Sequence, residues 1–201
     1  MKIGILGGTF NPIHTGHLIL AENAYDYMHL DRVLFVPSGI SYLKDQSEIL
    51  PAYHRVEMVR RAIANNPHFA VSTIETEREG NSYTYETLET MKRENPEDEL
   101  FFIGGADILM TIHTWNEPGR ILKNAKLVIA PRNDTPMEEL EAQKKMLQER
   151  FCATVHLLHT TDLEISSSDI RERIENGHSV RYYIPDIVVD YIKEHKLYGL
   201  T

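Results

Sequence analysis

A glycine-rich turn that carries two histidines lies near the N-terminus, in the string GGTFNPIHTGH from Gly7 to His17. Glycine lets a backbone turn sharply and approach a ligand closely. A helix that follows such a turn presents unpaired N–H groups and a positive dipole end, which favour phosphate. His14 and His17 are three residues apart and share one helix face, with Gly16 leaving room for the phosphate. The string predicts a phosphate site where both imidazoles donate hydrogen bonds and the ligand contacts Gly7, Gly8, Thr9 and Phe10.

A second candidate segment lies far down the chain, where three serines precede an arginine. Ser166, Ser167 and Ser168 open a helical pattern, so they can cap it and supply hydroxyl and N–H donors. Arg171 lies about one turn further on and can reach a polyphosphate held at that helix start. Taken alone, the segment is more typical of an ordinary helix cap with a surface arginine.

Together the two segments resemble the signature motifs of the HxGH nucleotidyltransferases. The first string has the form GTFNPxHxGH, and the second, ISSSDIR, runs from Ile165 to Arg171. Within that superfamily the chain is most similar to the nicotinate-nucleotide adenylyltransferases, from Met1 to about Gly199. The resemblance implies that His14, His17 and Arg171 act on the phosphates of ATP.

Further segments resemble the same family and extend the predicted site. Ser82 to Tyr85 resembles a segment that helps hold the nicotinate group, which implies substrate contacts at Thr84 and Tyr85. The segment from Gly104 through Gly105 to Asp107 resembles one whose aspartate contacts nucleotide. Trp115 falls where the family places a ring that stacks on the pyridine, although a half-buried packing role is the alternative. Lys44 takes the place of a family lysine in a loop without the usual prolines, or it is a solvated surface residue.

The activity that the resemblance implies is transfer of the adenylyl group of ATP to nicotinate mononucleotide. The attacking phosphate oxygen is already an anion, so no general base is required, and Mg²⁺ would be carried on ATP without protein metal ligands. The acid is expected to be preferred over its amide. Two alternatives stay open: another HxGH adenylyltransferase, such as a phosphopantetheine adenylyltransferase, and a nucleotide-binding sensor without catalysis.

The elements that must position these residues alternate along the chain. Strands are predicted at 2–6, 32–36, 69–73, 100–103, 126–130 and 154–158, and helices at 18–28, 51–65, 84–94, 137–150, 168–175 and 186–194. This alternation predicts a single α/β domain over 1–201: a Rossmann-like, doubly wound parallel sheet with helices on both faces and a small helical extension from about 165. Ligands bind such sheets at the carboxyl ends of the strands, here just after Leu6, Val36, Ile103, Ala130 and Leu158.

Composition narrows the classes of protein that the chain can be. It has 201 residues and a formal net charge of -9, which argues against non-specific nucleic-acid binding. The single cysteine, Cys152, allows no internal disulfide and fits a cytoplasmic protein. No membrane span is expected. The sequence leaves the oligomeric state open, a homo-oligomer included.

Overall fold

The computed structural model describes residues 1–39, 49–131, 135–158 and 164–199. At its centre is a sheet of six strands: β1 (Lys2–Gly8), β2 (Arg32–Pro37), β3 (Phe69–Val71), β4 (Glu99–Gly105), β5 (Ala125–Ala130) and β6 (Val155–Leu157). All five neighbouring pairs are parallel, in the order β3-β2-β1-β4-β5-β6. The order reverses between β1 and β4, and such a reversal opens a crevice at the carboxyl ends of the strands.

Eight α-helices lie in the described part of the chain. They are α1 (Thr15–Met28), α2 (Ala52–Ile63), α3 (Thr84–Glu94), α4 (Ala106–Thr111), α5 (Pro118–Asn124), α6 (Met137–Phe151), α7 (Ser167–Glu175) and α8 (Asp186–Glu194). A short 3-10 turn follows at Leu197–Gly199. Among these helices, none combines the length and the apolar character that a bilayer span requires.

The sheet separates two apolar layers because its central strands are buried on both faces. In β4, Phe101 and Ile103 pack into the layer with α1, α2, α7 and α8. Leu100 and Phe102 pack into the other layer, with α3, α4, α5 and α6. The C-terminal helices therefore share their core with the first two helices. The predicted Rossmann-like parallel sheet with helices on both faces is confirmed, as is its helical C-terminal part.

Several boundaries differ from the sequence prediction. Helix α1 begins at Thr15 rather than at 18, and its N-cap is His14. The apolar spacing starts only at Leu18, so the polar first turn of the helix gave no signal. Helix α2 ends at Ile63 and strand β3 at Val71, both two residues earlier than expected. Helices α4 and α5 were not predicted, because six or seven residues are too few to show a helical period.

Candidate active site

Two cavities meet at the carboxyl ends of β1, β2 and β4. Cavity A has a volume of about 200 Å³ and is lined chiefly by Gly7, Gly8, Thr9, Ser38, Glu75, Thr84, Phe102 and Trp115. Cavity B, of about 460 Å³, is lined chiefly by Gly8, Thr9, Phe10, His17, Asp107, Ser167, Ser168 and Arg171. Gly8 and Thr9 line both, so the glycine turn is the wall that the cavities share. The segments that follow β5 and β6, at 132–134 and 159–163, lie outside the described residues.

The two histidines of the first motif stack on each other. Their ring centroids are 3.6 Å apart, and the His14 backbone N–H donates to Nδ1 of His17 at 3.2 Å. Because Nδ1 accepts this bond, the proton of a neutral His17 ring lies on Nε2. His17 therefore brings an N–H donor to cavity B. His14 is 7% exposed and does not line either cavity.

Gly16 leaves room for the ring of His14. A Cβ placed on Gly16 would lie 3.1 Å from Nδ1 of His14 and 3.2 Å from its Cε1. The missing side chain thus makes space for the histidine pair, and the expected approach of a phosphate to the Gly16 backbone stays a prediction.

The second motif lies directly against the first, across more than 150 residues of sequence. Nη1 of Arg171 donates to the carbonyl of Asn11 at 3.0 Å, and the Ser167 hydroxyl donates to the carbonyl of Pro12 at 2.9 Å. Ser166 caps α7 by accepting the N–H of Asp169 at 3.1 Å. These contacts hold the start of α7 against the glycine turn and bring Arg171 into the same cavity as His17.

Asn11 joins two further parts of the chain. Its Oδ1 accepts the hydroxyl of Tyr198 at 2.9 Å and the backbone N–H of Leu50 at 3.3 Å. Burial raises the pKa of the Tyr198 phenol above its usual value, so the phenol stays protonated and can donate. The C-terminal 3-10 turn is thereby fastened to the residue whose carbonyl receives Arg171.

Cavity A combines aromatic rings with the start of a helix. Trp115 is half-buried, packs edge-on against Phe102 at 6.2 Å and donates its Nε1 proton to the Thr111 hydroxyl at 3.3 Å. Thr84 is the first residue of α3, and Tyr83 is its cap. The first N–H groups of a helix have no intrahelical partner and favour an anion. The cavity therefore pairs a flat apolar wall with donors suited to a carboxylate.

Some predicted residues lie outside both cavities. Tyr85 is covered by Arg120, whose Cζ is 4.2 Å from the ring centroid, and its hydroxyl donates to Glu86 at 3.1 Å. Gly104 lies beneath Ile108, and Gly105 caps α4. Ser166 acts as the cap of α7. Lys44 lies outside the described residues.

The chain is similar in sequence to a described protein family and to named proteins of other organisms. Residues 5–173 match the family described as cytidylyltransferase-like. A protein of Lachnoclostridium phytofermentans named "Probable nicotinate-nucleotide adenylyltransferase" is 41% identical over 197 residues, 98% of each chain. One of Dehalococcoides mccartyi (strain CBDB1) with the same name is 43% identical over 202 residues, 98% of this chain and 97% of its own. The chain belongs to the nicotinate-nucleotide adenylyltransferase family.

Two solved structures have the same fold as this chain. Plasmodium falciparum nicotinic acid mononucleotide adenylyltransferase complexed with APC superposes with a TM-score of 0.81 at 21% identity, covering 100% of this chain and 98% of its own. The same protein complexed with NaAD gives 0.79 at 22% identity, with the same coverage. At these identities the likeness concerns the fold.

Sequence reasoning missed three residues at the site of this family member. Arg55 is 3% exposed and donates to three backbone carbonyls, including that of Thr9. The Ser38 hydroxyl is buried without a hydrogen-bond partner among the described residues and lines cavity A. Glu75 lines cavity A as well. Arg55 stands at the start of a predicted helix, a position from which it could adjoin the site but which is more typical of a helix cap.

Glu75 places a carboxyl group in the wall of cavity A. The Thr87 hydroxyl donates to Oε1 of Glu75 at 2.9 Å, and the Gly39 backbone N–H also bonds the carboxylate. Desolvation raises the pKa of Glu75, and the Thr87 bond, Arg78 and the Gly39 bond offset only part of the rise. Glu75 thus links the segment after β2 to α3 and holds both sides of cavity A together.

Proposed function

We propose that this chain transfers the adenylyl group of ATP to nicotinate mononucleotide, producing nicotinate adenine dinucleotide and pyrophosphate in NAD biosynthesis. One observation carries the proposal. His17, Arg171 and two serines of the second motif, Ser167 and Ser168, line one cavity, and that cavity shares the Gly8–Thr9 wall with a second one that holds Trp115. A triphosphate in cavity B and a pyridine mononucleotide in cavity A would meet at that wall.

The chemistry requires positioning and charge stabilisation rather than a base. A phosphate oxygen of the mononucleotide forms a bond to the α-phosphorus of ATP, and the bond from that phosphorus to the bridging oxygen breaks. The electron pair leaves with pyrophosphate. The Nε2 proton of His17 and the guanidinium of Arg171 are donors that can stabilise this charge as it develops. His14 acts by holding His17, through the ring stack and the backbone bond.

Cavity A favours the acid over the amide as acceptor. The start of α3 supplies backbone N–H groups near Thr84, and the helix dipole adds positive potential there. A nicotinate carboxylate gains from both, whereas an amide gains less because it is neutral. The Trp115 and Phe102 rings offer an apolar wall to the pyridine.

Mg²⁺ is proposed to enter on the phosphates of ATP. Asp107 is the one carboxylate among the described residues that line cavity B. The described residues also hold no group of three or more histidine, cysteine or acidic side chains arranged for a metal ion. This donor set fits a cation whose ligands are mostly water molecules and nucleotide oxygens. Asp107 is the nearest carboxylate. Bound there, the metal would neutralise phosphate charge.

The reaction is proposed to take place in the cytoplasm. Cys152 is exposed and unpaired, which a reducing compartment tolerates.

A coupled assay for pyrophosphate tests the proposal directly. The chain is incubated with ATP and, in turn, nicotinate mononucleotide, its amide and 4′-phosphopantetheine. We expect pyrophosphate and a dinucleotide with the acid, and at least about tenfold lower kcat/KM with the amide. Turnover with phosphopantetheine alone would assign the chain to the other adenylyltransferase class. ATP binding without turnover on any acceptor would favour a sensor.

A further inference from the structure

Arg55 is a buried cation at the point where three backbone segments meet. Its Nε donates to the carbonyl of Leu50 at 2.9 Å, Nη1 to that of Thr9 at 2.8 Å and Nη2 to that of Ser38 at 2.8 Å. The residue is 3% exposed. Each guanidinium nitrogen therefore holds a different carbonyl, whereas a lysine would have to reach all three carbonyls from one nitrogen.

The three carbonyls belong to the walls of the site. Thr9 lines both cavities and Ser38 lines cavity A. The Ser38 backbone N–H donates to the carbonyl of Gly8 at 2.8 Å, and the Leu50 N–H donates to Oδ1 of Asn11 at 3.3 Å. Arg55 thus closes a network that fixes the glycine turn against the segments on either side of residues 40–48.

Among the described residues, no carboxylate forms an ion pair with Arg55, although two other arginines of α2, Arg60 and Arg61, do form ion pairs. Burial lowers the pKa of its guanidinium without bringing it near neutrality. A buried cation bonded only to neutral carbonyls is costly, and an anion nearby offsets that cost. The proposed ligands of the adjoining cavities carry phosphates.

We propose that Arg55 is a positioning residue that ties the glycine turn to the segment after β2 and stabilises bound phosphate with its positive charge. The inference deepens the proposed function, since the phosphates concerned are those of the two substrates. It makes two separable statements, one about geometry and one about charge. Lysine at this position would keep the charge but not the three bonds, and methionine would keep neither.

The test compares R55K and R55M with the wild type and with R60M, a control on an exposed arginine of the same helix. Calorimetry measures the affinity for inorganic pyrophosphate and, separately, for adenosine, and kinetics give kcat and KM. We expect R55M to lose about tenfold in pyrophosphate affinity while adenosine affinity is unchanged. R55K is expected to keep most pyrophosphate affinity yet lose at least about tenfold in kcat, and R60M to match the wild type.

Two results would overturn the inference. One is wild-type pyrophosphate affinity and kcat in R55M, or in R55K if R55M does not fold. The other is an equal loss of adenosine and pyrophosphate affinity, which indicates a purely structural role. Pyrophosphate binding needs no turnover, so a wild-type protein that makes no dinucleotide would refute the proposed function while the binding data still decide on Arg55.

Discussion

His17 brings to cavity B an imidazole with one nitrogen already bonded to the protein. We expect H17A to lower kcat by about 10²–10³-fold, the usual effect of removing one donor aimed at developing charge. The free energy of unfolding should fall by only about 1 kcal/mol, since the variant gives up one backbone-to-ring bond. Steady-state kinetics and urea unfolding measure both, with H178A, an exposed histidine on the turn after α7, as control. Near-normal kcat would remove His17 from the chemistry.

Gly16 supplies a second prediction about single residues, because its missing side chain makes room for the His14 ring. G16A should displace that ring and lower kcat by at least about tenfold. Stability should change little or rise, because alanine is favoured over glycine within a helix by about 1 kcal/mol. The matched control is G119A in α5, where an added Cβ would make an ordinary 3.7 Å contact with Phe151. A G16A enzyme with wild-type kcat would show that the His14 position is not critical.

We expect the first turn of α3 to set the acceptor preference through its backbone. T84P removes one N–H, and proline suits the first position of a helix. Tyr83 already has the extended backbone that a following proline requires, with φ -119° and ψ 132°. We expect T84P to lose several-fold of its preference for acid over amide, measured as the ratio of kcat/KM values. T84A keeps the N–H and should retain the preference; the same loss in both variants would contradict a backbone role.

Elements with a clear period could be predicted from the sequence, and the shortest ones could not. The buried strands and the long amphipathic helices predicted the parallel sheet. The glycine–histidine and serine–arginine strings predicted the proposed phosphate site. The contact between Arg171 and Asn11 could be inferred only as a requirement of shared chemistry. The role of Arg55 could not be predicted, because a buried arginine is recognisable only when the carbonyls around it are known. The roles assigned to individual site residues stay predictions until the variants are measured.

Across the whole molecule, the end of the described chain braces its beginning. Tyr198 donates to Asn11, and the carbonyls of Tyr182 and Tyr183 accept the hydroxyl and backbone N–H of Thr15, each at 2.8 Å. The C-terminal helices also share an apolar layer with Phe10 and Ile13. The helical C-terminal part thus lines cavity B and also supports the glycine turn beside it.

Removing the Tyr198 hydroxyl tests this bracing. Y198F should lower the free energy of unfolding by about 0.5–1.5 kcal/mol, because Oδ1 of Asn11 loses the hydrogen bond that it accepts from the Tyr198 hydroxyl. It should also raise the KM for ATP, since the carbonyl of the same Asn11 receives Arg171. Urea unfolding and kinetics decide, with Y182F, 83% exposed, as control. A Y198F protein unchanged in both would show that the turn does not support the site.

Because translation proceeds from the N-terminus, the parts that line cavity B are synthesised at different times. The glycine turn leaves the ribosome about 150 residues before Ser167, Ser168 and Arg171, and Tyr198 emerges later still. During that interval a nascent chain has only part of the proposed triphosphate site. If the proposed site is right, ATP meets its full set of partners only after the C-terminal helices have been made.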